Sequence, residues 1–288
     1  MAIPSRIVTL KLVKYIQSLF GDVNIERVDG CSNYCFLVGG GPEYVIKFDE
    51  YENIHSEKYA LDRYRASGIP SPAYARIVKS TILGGASALI TPFVLHRKEN
   101  RIPFQQLGAL MRRMHRIHAS GIGRLVQGKG QNRSWKEYLT QTATKHATSL
   151  TKILGYPPGQ LLTGIDSLPT LHVLLHGDLH RGNVLCRGKK VVAVIDPDPV
   201  VGDPLFDVAM TVQRYPGRAS TLFLEGYAPT GFTEGEVRRF NQYLVVAYLN
   251  KLGYMLKLLS RPQPKDKAKR YRERKQLYLT ALQEILPQ

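Results

Sequence analysis

The hydrophobic pattern of this chain changes period once, near residue 97, and that change limits the fold more than any other feature. Before it, short apolar runs alternate with glycine turns. Glu26 to Val28 leads through DGCSN into YCFLV, then through GGGPE into YVIKF. Side chains of a strand repeat every second residue, so these runs read as three strands joined by tight turns. A helix is predicted over residues 52–67, with Ile54, Ala60, Leu61 and Tyr64 on one side and a stop at Ser67-Gly68 before IPSP. Two further strand-like runs follow, around 74–79 and 87–94, joined by Leu83-Gly84-Gly85. Residues 6–20 precede all this, with Val8, Leu12, Val13, Ile16 and Phe20 at helical spacing.

After residue 97 the period is 3.6. Leu107, Leu110, Met111, Met114 and Ile117 mark a helix over 103–119. A second is expected over 134–154, with Ser134 as N-cap. A long buried helix is expected over 234–259, from Val237 through Phe240, Leu244, Leu249, Leu252 and Leu256, and a charged one over 266–286. The expected class is therefore α+β, with a small antiparallel sheet carrying one inserted helix, then a larger, mainly helical part. There is no internal repeat.

The 288 residues suffice for two small domains or one two-part unit. No run of 18 apolar residues occurs, so no membrane span is expected. The N-terminus lacks an unbroken signal-peptide core. Cys31, Cys35 and Cys186 have neither zinc-site spacing nor an even count, which suits reduced thiols and a cytoplasmic protein. The net charge of +17 is uneven. Residues 1–97 carry 11 basic and 9 acidic side chains; residues 98–288 carry 29 and 14. The densest stretch, 261–275, has eight basic and two acidic residues. No aromatic ladder accompanies it, so it reads as a solvated helix face, and nucleic acid is not expected as a partner.

The chemistry concentrates in LHGDLHRGNVL, residues 175–185, a polar loop between apolar anchors. Ala193-Val194-Ile195 then leads to Asp196, so a hairpin presents Asp178, Asn183 and Asp196 at one end. Two carboxylates and an amide oxygen suit Mg²⁺, which takes few protein ligands and completes its shell with phosphate oxygens. A carboxylate left off the metal can accept a hydroxyl proton, as phosphoryl transfer requires. In YVIKF, Lys47 shares a strand face with Val45 and needs a partner; Glu57 in the next helix is the candidate. Gly30, Ser32 and Asn33 lie in the first turn, where small residues let backbone amides approach phosphate.

In its order of parts the chain resembles the aminoglycoside phosphotransferase/choline kinase family, small-molecule kinases of protein-kinase-like fold. His176-Gly177-Asp178 through Asn183 matches the family's HGDxxxxN loop, and IDPDPVVGDPLFDVA, residues 195–209, its IDxxxxxxGDPxxDxA segment. The lysine of VIK, the helical glutamate, SGIPSP and LGALMRRMHRIH also fit, so the likeness runs from residue 23 to 210. It implies a two-lobed molecule, with a nucleotide-binding lobe over 1–94 and a catalytic, acceptor-binding lobe over 95–288. It implies ATP and Mg²⁺ as cofactors. Asp178 would orient the acceptor hydroxyl and take its proton. Asn183 and Asp196 would hold Mg²⁺. Lys47 would contact the α- and β-phosphates and be fixed by Glu57, with the backbone around 29–33 above them. The hinge against adenine would be ALITPFV, with Thr91, Phe93 and Val94; Pro92 has no N–H, so the backbone donor falls to Phe93 or Val94.

The partner would be a small hydroxylated molecule: an aminoglycoside or other antibiotic, an amino alcohol or a sugar-like metabolite. A monomer is the default expectation. His176 is read as a structural residue of the loop; His180 and Arg181 face either substrate or water. A zinc site of His172, His176 and His180 would need a helix that Gly177 and Gly182 break. Asp203 and Asp207 are read as capping or loop-fixing groups, and Asp198 as either a substrate contact or a turn carboxylate. Asp198, Asp203 and Asp207 could also form an acidic pocket under the basic exterior. Trp135 and Tyr138 are read as packing. The competing function is a non-catalytic nucleotide-binding protein whose basic C-terminal helix meets nucleic acid or membrane. A protein acceptor is disfavoured because no activation segment separates Asp196 from Asp207.

Overall fold

The computed structural model describes residues 6–28, 34–41, 43–79, 86–97, 101–162, 164 and 171–286. In chain order the elements are α1 (Arg6–Phe20), β1 (Ile25–Arg27), β2 (Tyr34–Val38), β3 (Tyr44–Glu50), α2 (Tyr51–Ala66), β4 (Arg76–Lys79), β5 (Ala86–Pro92) and α3 (Phe104–Met114). Then come β6 (Gly123–Val126), β7 (Lys129–Gly130), α4 (Trp135–Thr144), α5 (Ala147–Leu154), β8 (Val173–Leu175), β9 (Val184–Arg187), β10 (Lys190–Val194) and β11 (Val200–Gly202). Four helices finish the chain: α6 (Pro204–Val212), α7 (Arg218–Tyr227), α8 (Glu234–Leu259) and α9 (Lys265–Ile285). They form two compact units. One holds Met1–Pro103, Val126–Gly128 and Arg181–Pro199; the other holds Phe104–Leu125, Lys129–His180 and Val200–Gln288.

The first unit is built on an antiparallel sheet of order β1-β2-β3-β5-β4. Alternation decides its faces. Phe36 and Val38, Ile46 and Phe48, Ala88 and Ile90 cluster with Leu12 and Ile16 of α1. The intervening residues, Val45 and Lys47 among them, point to the other face, where α2 packs. Ile54, Ala60, Leu61 and Tyr64 are all buried there. The β9–β10 hairpin turns at Gly188, whose φ of 62° suits a residue without Cβ. It joins the rest of the unit through backbone bonds: Arg97 N–H to the Cys186 carbonyl (3.0 Å) and Val194 N–H to the Pro70 carbonyl (2.9 Å).

In the second unit α8 is the hub, packed by α4, α5, α6 and α9. Its capping box is complete: Thr233 accepts from Glu236 N–H and the Glu236 carboxylate accepts from Thr233 N–H. The long helix matches the expected 234–259, but its first turns are solvated and Val237 is exposed. The helix expected over 103–119 is shorter and ends at Met114. Beyond it the chain is captured by a sheet: Leu174 N–H donates to the Ile117 carbonyl (2.7 Å) and His118 bridges to Val173. The helix expected over 134–154 is two, because His146 leaves helical dihedrals and packs where Gly253 of α8 has no side chain. Ser134 does cap α4, accepting from Glu137 N–H at 3.1 Å. Trp135 and Tyr138 stack and pack with Phe206 and Tyr243, the packing role expected of them. Helix α9 presents its basic residues to solvent and buries Tyr278 and Leu282, so it is part of the packed unit. No helix among the described residues is long and apolar enough to cross a membrane.

Candidate active site

Two constellations carry the chemistry, one in each unit. In the first unit the even side of β3 fills the core, so Lys47 is turned toward α2. There its Nζ donates to Glu57 Oε2 at 2.6 Å and also to Asp196 Oδ1. Glu57 is buried on a helix stripe otherwise made of Ile54, Leu61 and Tyr64. A carboxylate in such a place is tolerated only if it is paired. Burial opposes the Lys47 charge, but the carboxylates of Glu57 and Asp196 outweigh it and hold the ammonium pKa above its ordinary value. Burial also drives the Glu57 carboxyl up, against the pull of Lys47.

Asp196 lies two residues beyond β10, at φ 55°, a left-handed conformation that non-glycine residues adopt at a cost. The hairpin holds it there. Ile195 N–H donates to the Asn183 carbonyl (3.0 Å), and Asn183 Nδ2 donates to the Asp196 carbonyl (3.3 Å). That second bond fixes the buried Asn183 amide, whose oxygen is of the type suited to a cation. Asp196 and Asn183 make a two-oxygen set. No group of three or more His, Cys, Asp or Glu among the described residues could hold a metal alone. A carboxylate and an amide oxygen suit an ion that takes few protein ligands and completes its shell with phosphate oxygens.

In the second unit, Asp178 sits in the loop after β8. Asp207, fully buried on α6, ties that loop down: it accepts from His176 N–H (2.8 Å) and Gly177 N–H (3.1 Å). His115 Nε2 lies 3.2 Å from the same carboxylate, and His115 Nδ1 is 2.9 Å from the Tyr227 hydroxyl. The tautomer that satisfies all of these carries its proton on Nε2 and accepts from the tyrosine at Nδ1. Burial alone would raise the Asp207 carboxyl, but the His115 hydrogen bond and the nearby imidazoles hold it below the usual range. Asp203 caps α6 by accepting from Leu205 N–H (2.9 Å) and also accepts from the Tyr243 hydroxyl (2.9 Å), which in turn accepts from Trp135 Nε1 (3.0 Å). Both aspartates are therefore structural, as the capping and loop-fixing reading expected, and His176 is a fully buried member of the loop. They are not free to line an acidic acceptor pocket.

Asp178 itself has a partner that sequence reasoning missed. The Arg214 guanidinium donates to Asp178 Oδ1, and His180 Nε2 lies 3.4 Å from Oδ2. Burial works to raise the Asp178 carboxyl, but the His180 hydrogen bond and the charges of Arg214 and Lys251 outweigh it and keep the group well below the usual carboxylate range. Arg214 follows α6 and Lys251 lies on α8, each more than thirty positions from Asp178, so no local spacing could have announced them.

At the expected hinge, Phe93 N–H donates to the Glu43 carbonyl at 2.7 Å. Thr91 lies in β5 opposite Val45. Gly30, Ser32 and Asn33 fall outside the described residues. Asp198 is exposed.

A family model described as the phosphotransferase enzyme family matches residues 25–240. A probable ketoamine kinase of Synechocystis sp. is 24% identical over 257 residues, covering 78% of this chain and 83% of the relative. Among solved structures, the aminoglycoside phosphotransferase APH(4)-Ia superposes with a TM-score of 0.71 at 17% identity, over 95% of this chain and 99% of that one. A putative fructosamine-3-kinase from Haemophilus somnus gives 0.63 at 17% identity, over 96% and 97%. The fold is thus α+β and protein-kinase-like, with the antiparallel sheet in the N-terminal part and the helices mainly in the C-terminal part.

Proposed function

The chain belongs to the phosphotransferase enzyme family, a family of small-molecule kinases, and from that premise we propose that it transfers the γ-phosphoryl group of ATP, with Mg²⁺, to a hydroxyl of a small molecule. The observation that carries this reading is the buried Lys47, paired with Glu57 on one side and Asp196 on the other. So costly an arrangement of three charges suits a nucleotide site, since phosphate oxygens can take the place of one carboxylate when nucleotide binds.

The roles follow from the chemistry. Lys47, fixed by Glu57, neutralises the α- and β-phosphates. Asn183 and Asp196 would hold Mg²⁺, whose charge supplies further neutralisation of the phosphate oxygens. Val94 offers its backbone to the adenine edge, beside Thr91 and Phe93. Asp178 accepts the proton of the acceptor hydroxyl. As that O–H bond breaks, the oxygen bonds to Pγ, the bond from Pγ to the bridging oxygen breaks, and its electron pair leaves with ADP. Loop rigidity serves this step, because the Asp207 bonds to His176 and Gly177 hold the residues just before the base.

The test is Asp178→Asn, assayed by acceptor-dependent ADP release and by calorimetric titration with Mg·ATP. Turnover should fall at least ~10²-fold, the contribution typical of general-base catalysis, while nucleotide affinity stays the same. Undiminished turnover in this variant overturns the base assignment. Absence of Mg·ATP binding to the wild-type protein overturns the kinase reading itself.

A further inference from the structure

Arg214 occupies the carboxylate that the proposed reaction needs as a base. Its side chain is only 14% exposed, and its Nε donates to the Met210 carbonyl at 3.2 Å, which anchors the guanidinium at the end of α6. His180 stands on the other oxygen of Asp178. The Lys251 ammonium also acts on the same carboxylate. Asp203 and Asp207 are fully buried and bonded to backbone amides, Tyr243 and His115. Residues 98–288 carry 29 basic and 14 acidic side chains.

We propose that the acceptor carries an anionic group, a carboxylate or a phosphate, near the hydroxyl that is phosphorylated, and that Arg214 binds that group. The inference rests on the kinase reading and names its substrate class. A guanidinium presents five N–H donors in a planar fork that matches both anions, and the Met210 and Asp178 bonds use two of them. When the acceptor's anion takes the guanidinium, Asp178 gives up its Oδ1 partner and recovers the capacity to accept a proton. Acceptor binding and base activation then become one event. A polycation would do the reverse, leaving Arg214 on Asp178 and adding repulsion.

The experiment compares four polyol probes of similar size on the full chain, in 0.15 M salt chosen so that about 8 Å screening removes long-range steering. Gluconate carries a carboxylate, glycerol 3-phosphate a phosphate, glucitol no charge and N-methylglucamine a cation. Binding is read by calorimetry beside ADP release with Mg·ATP, in wild type, Arg214→Gln, Arg214→Lys and Lys251→Gln, with thermal melts to confirm folding. At least one anionic probe should bind ten-fold or more tighter than glucitol, lose that margin in Arg214→Gln and regain part of it in Arg214→Lys. Gluconate against glycerol 3-phosphate tells carboxylate from phosphate. Equal or weaker binding of both anions relative to glucitol or N-methylglucamine overturns the inference, as does an anion preference that survives Arg214→Gln. Normal Mg·ATP binding alongside either result leaves the kinase reading standing; loss of nucleotide binding in wild type sinks both.

Discussion

Asp207→Asn is the substitution whose cost the structure specifies most closely. The carboxylate is fully buried and receives three donors: His176 N–H at 2.8 Å and His115 Nε2 at 3.2 Å on one oxygen, and Gly177 N–H at 3.1 Å on the other. Asparagine has one oxygen and one NH₂. With its oxygen toward His176 and His115 it keeps two contacts, now to a neutral acceptor of about half the strength. Its NH₂ then faces Gly177 N–H, donor against donor, and one buried amide is left unsatisfied at about 1–3 kcal/mol. Flipping the amide sacrifices two donors instead of one. The total is on the order of 2–4 kcal/mol, which for a chain of this size lowers Tm by roughly 3–7 °C. Because the orphaned amide adjoins Asp178, the loop shifts, and a misplacement near 1 Å costs about 10²-fold in kcat. Circular dichroism melts, hydrogen exchange at the His176 and Gly177 amides and kcat with saturating nucleotide read all three consequences. A Tm within a degree of wild type, with unchanged exchange and kcat, would refute the claim that Asp207 tethers the loop.

Glu57→Gln leaves Lys47 with Asp196 as its remaining carboxylate, so the loss is one charge-assisted bond, about 1.5–3 kcal/mol; thermal melts should show it together with a raised KM for ATP, and equal KM would remove Glu57 from the nucleotide site. Gly108→Ala should destabilise by about 1–3 kcal/mol, because a Cβ there runs into the Phe223 carbonyl and comes 2.8 Å from Tyr227 N where α3 meets α7. Gly235→Ala, with no atom within 4 Å of its Cβ, is the control and should be neutral or gain up to about 1 kcal/mol in urea denaturation.

What could be read from sequence follows from the range of the interactions involved. Strand alternation and helical period are local, so YVIKF, the α2 stripe, Ser134 and the bounds of α8 were all legible. The ends of α3 and the break between α4 and α5 were not, because a sheet edge and a neighbouring helix decide them. Helix α7 also escaped; its place is set by the close approach of Gly226 to the backbone of Gln105 in α3, not by its own pattern. The candidate site divides the same way. Lys47 was recognisable because an ammonium on an inward strand face demands a partner, and Glu57 because it interrupts the apolar run of Ile54, Leu61 and Tyr64. Asp178 stood out in its loop, yet its setting is made by Arg214 and Lys251, brought in by helices far along the chain. The residues proposed to handle the nucleotide sit in compact local motifs, whereas the groups around Asp178 come from distant helices, where no spacing rule applies. On the proposed reading Arg214, which no motif contains, is where the acceptor should be sought.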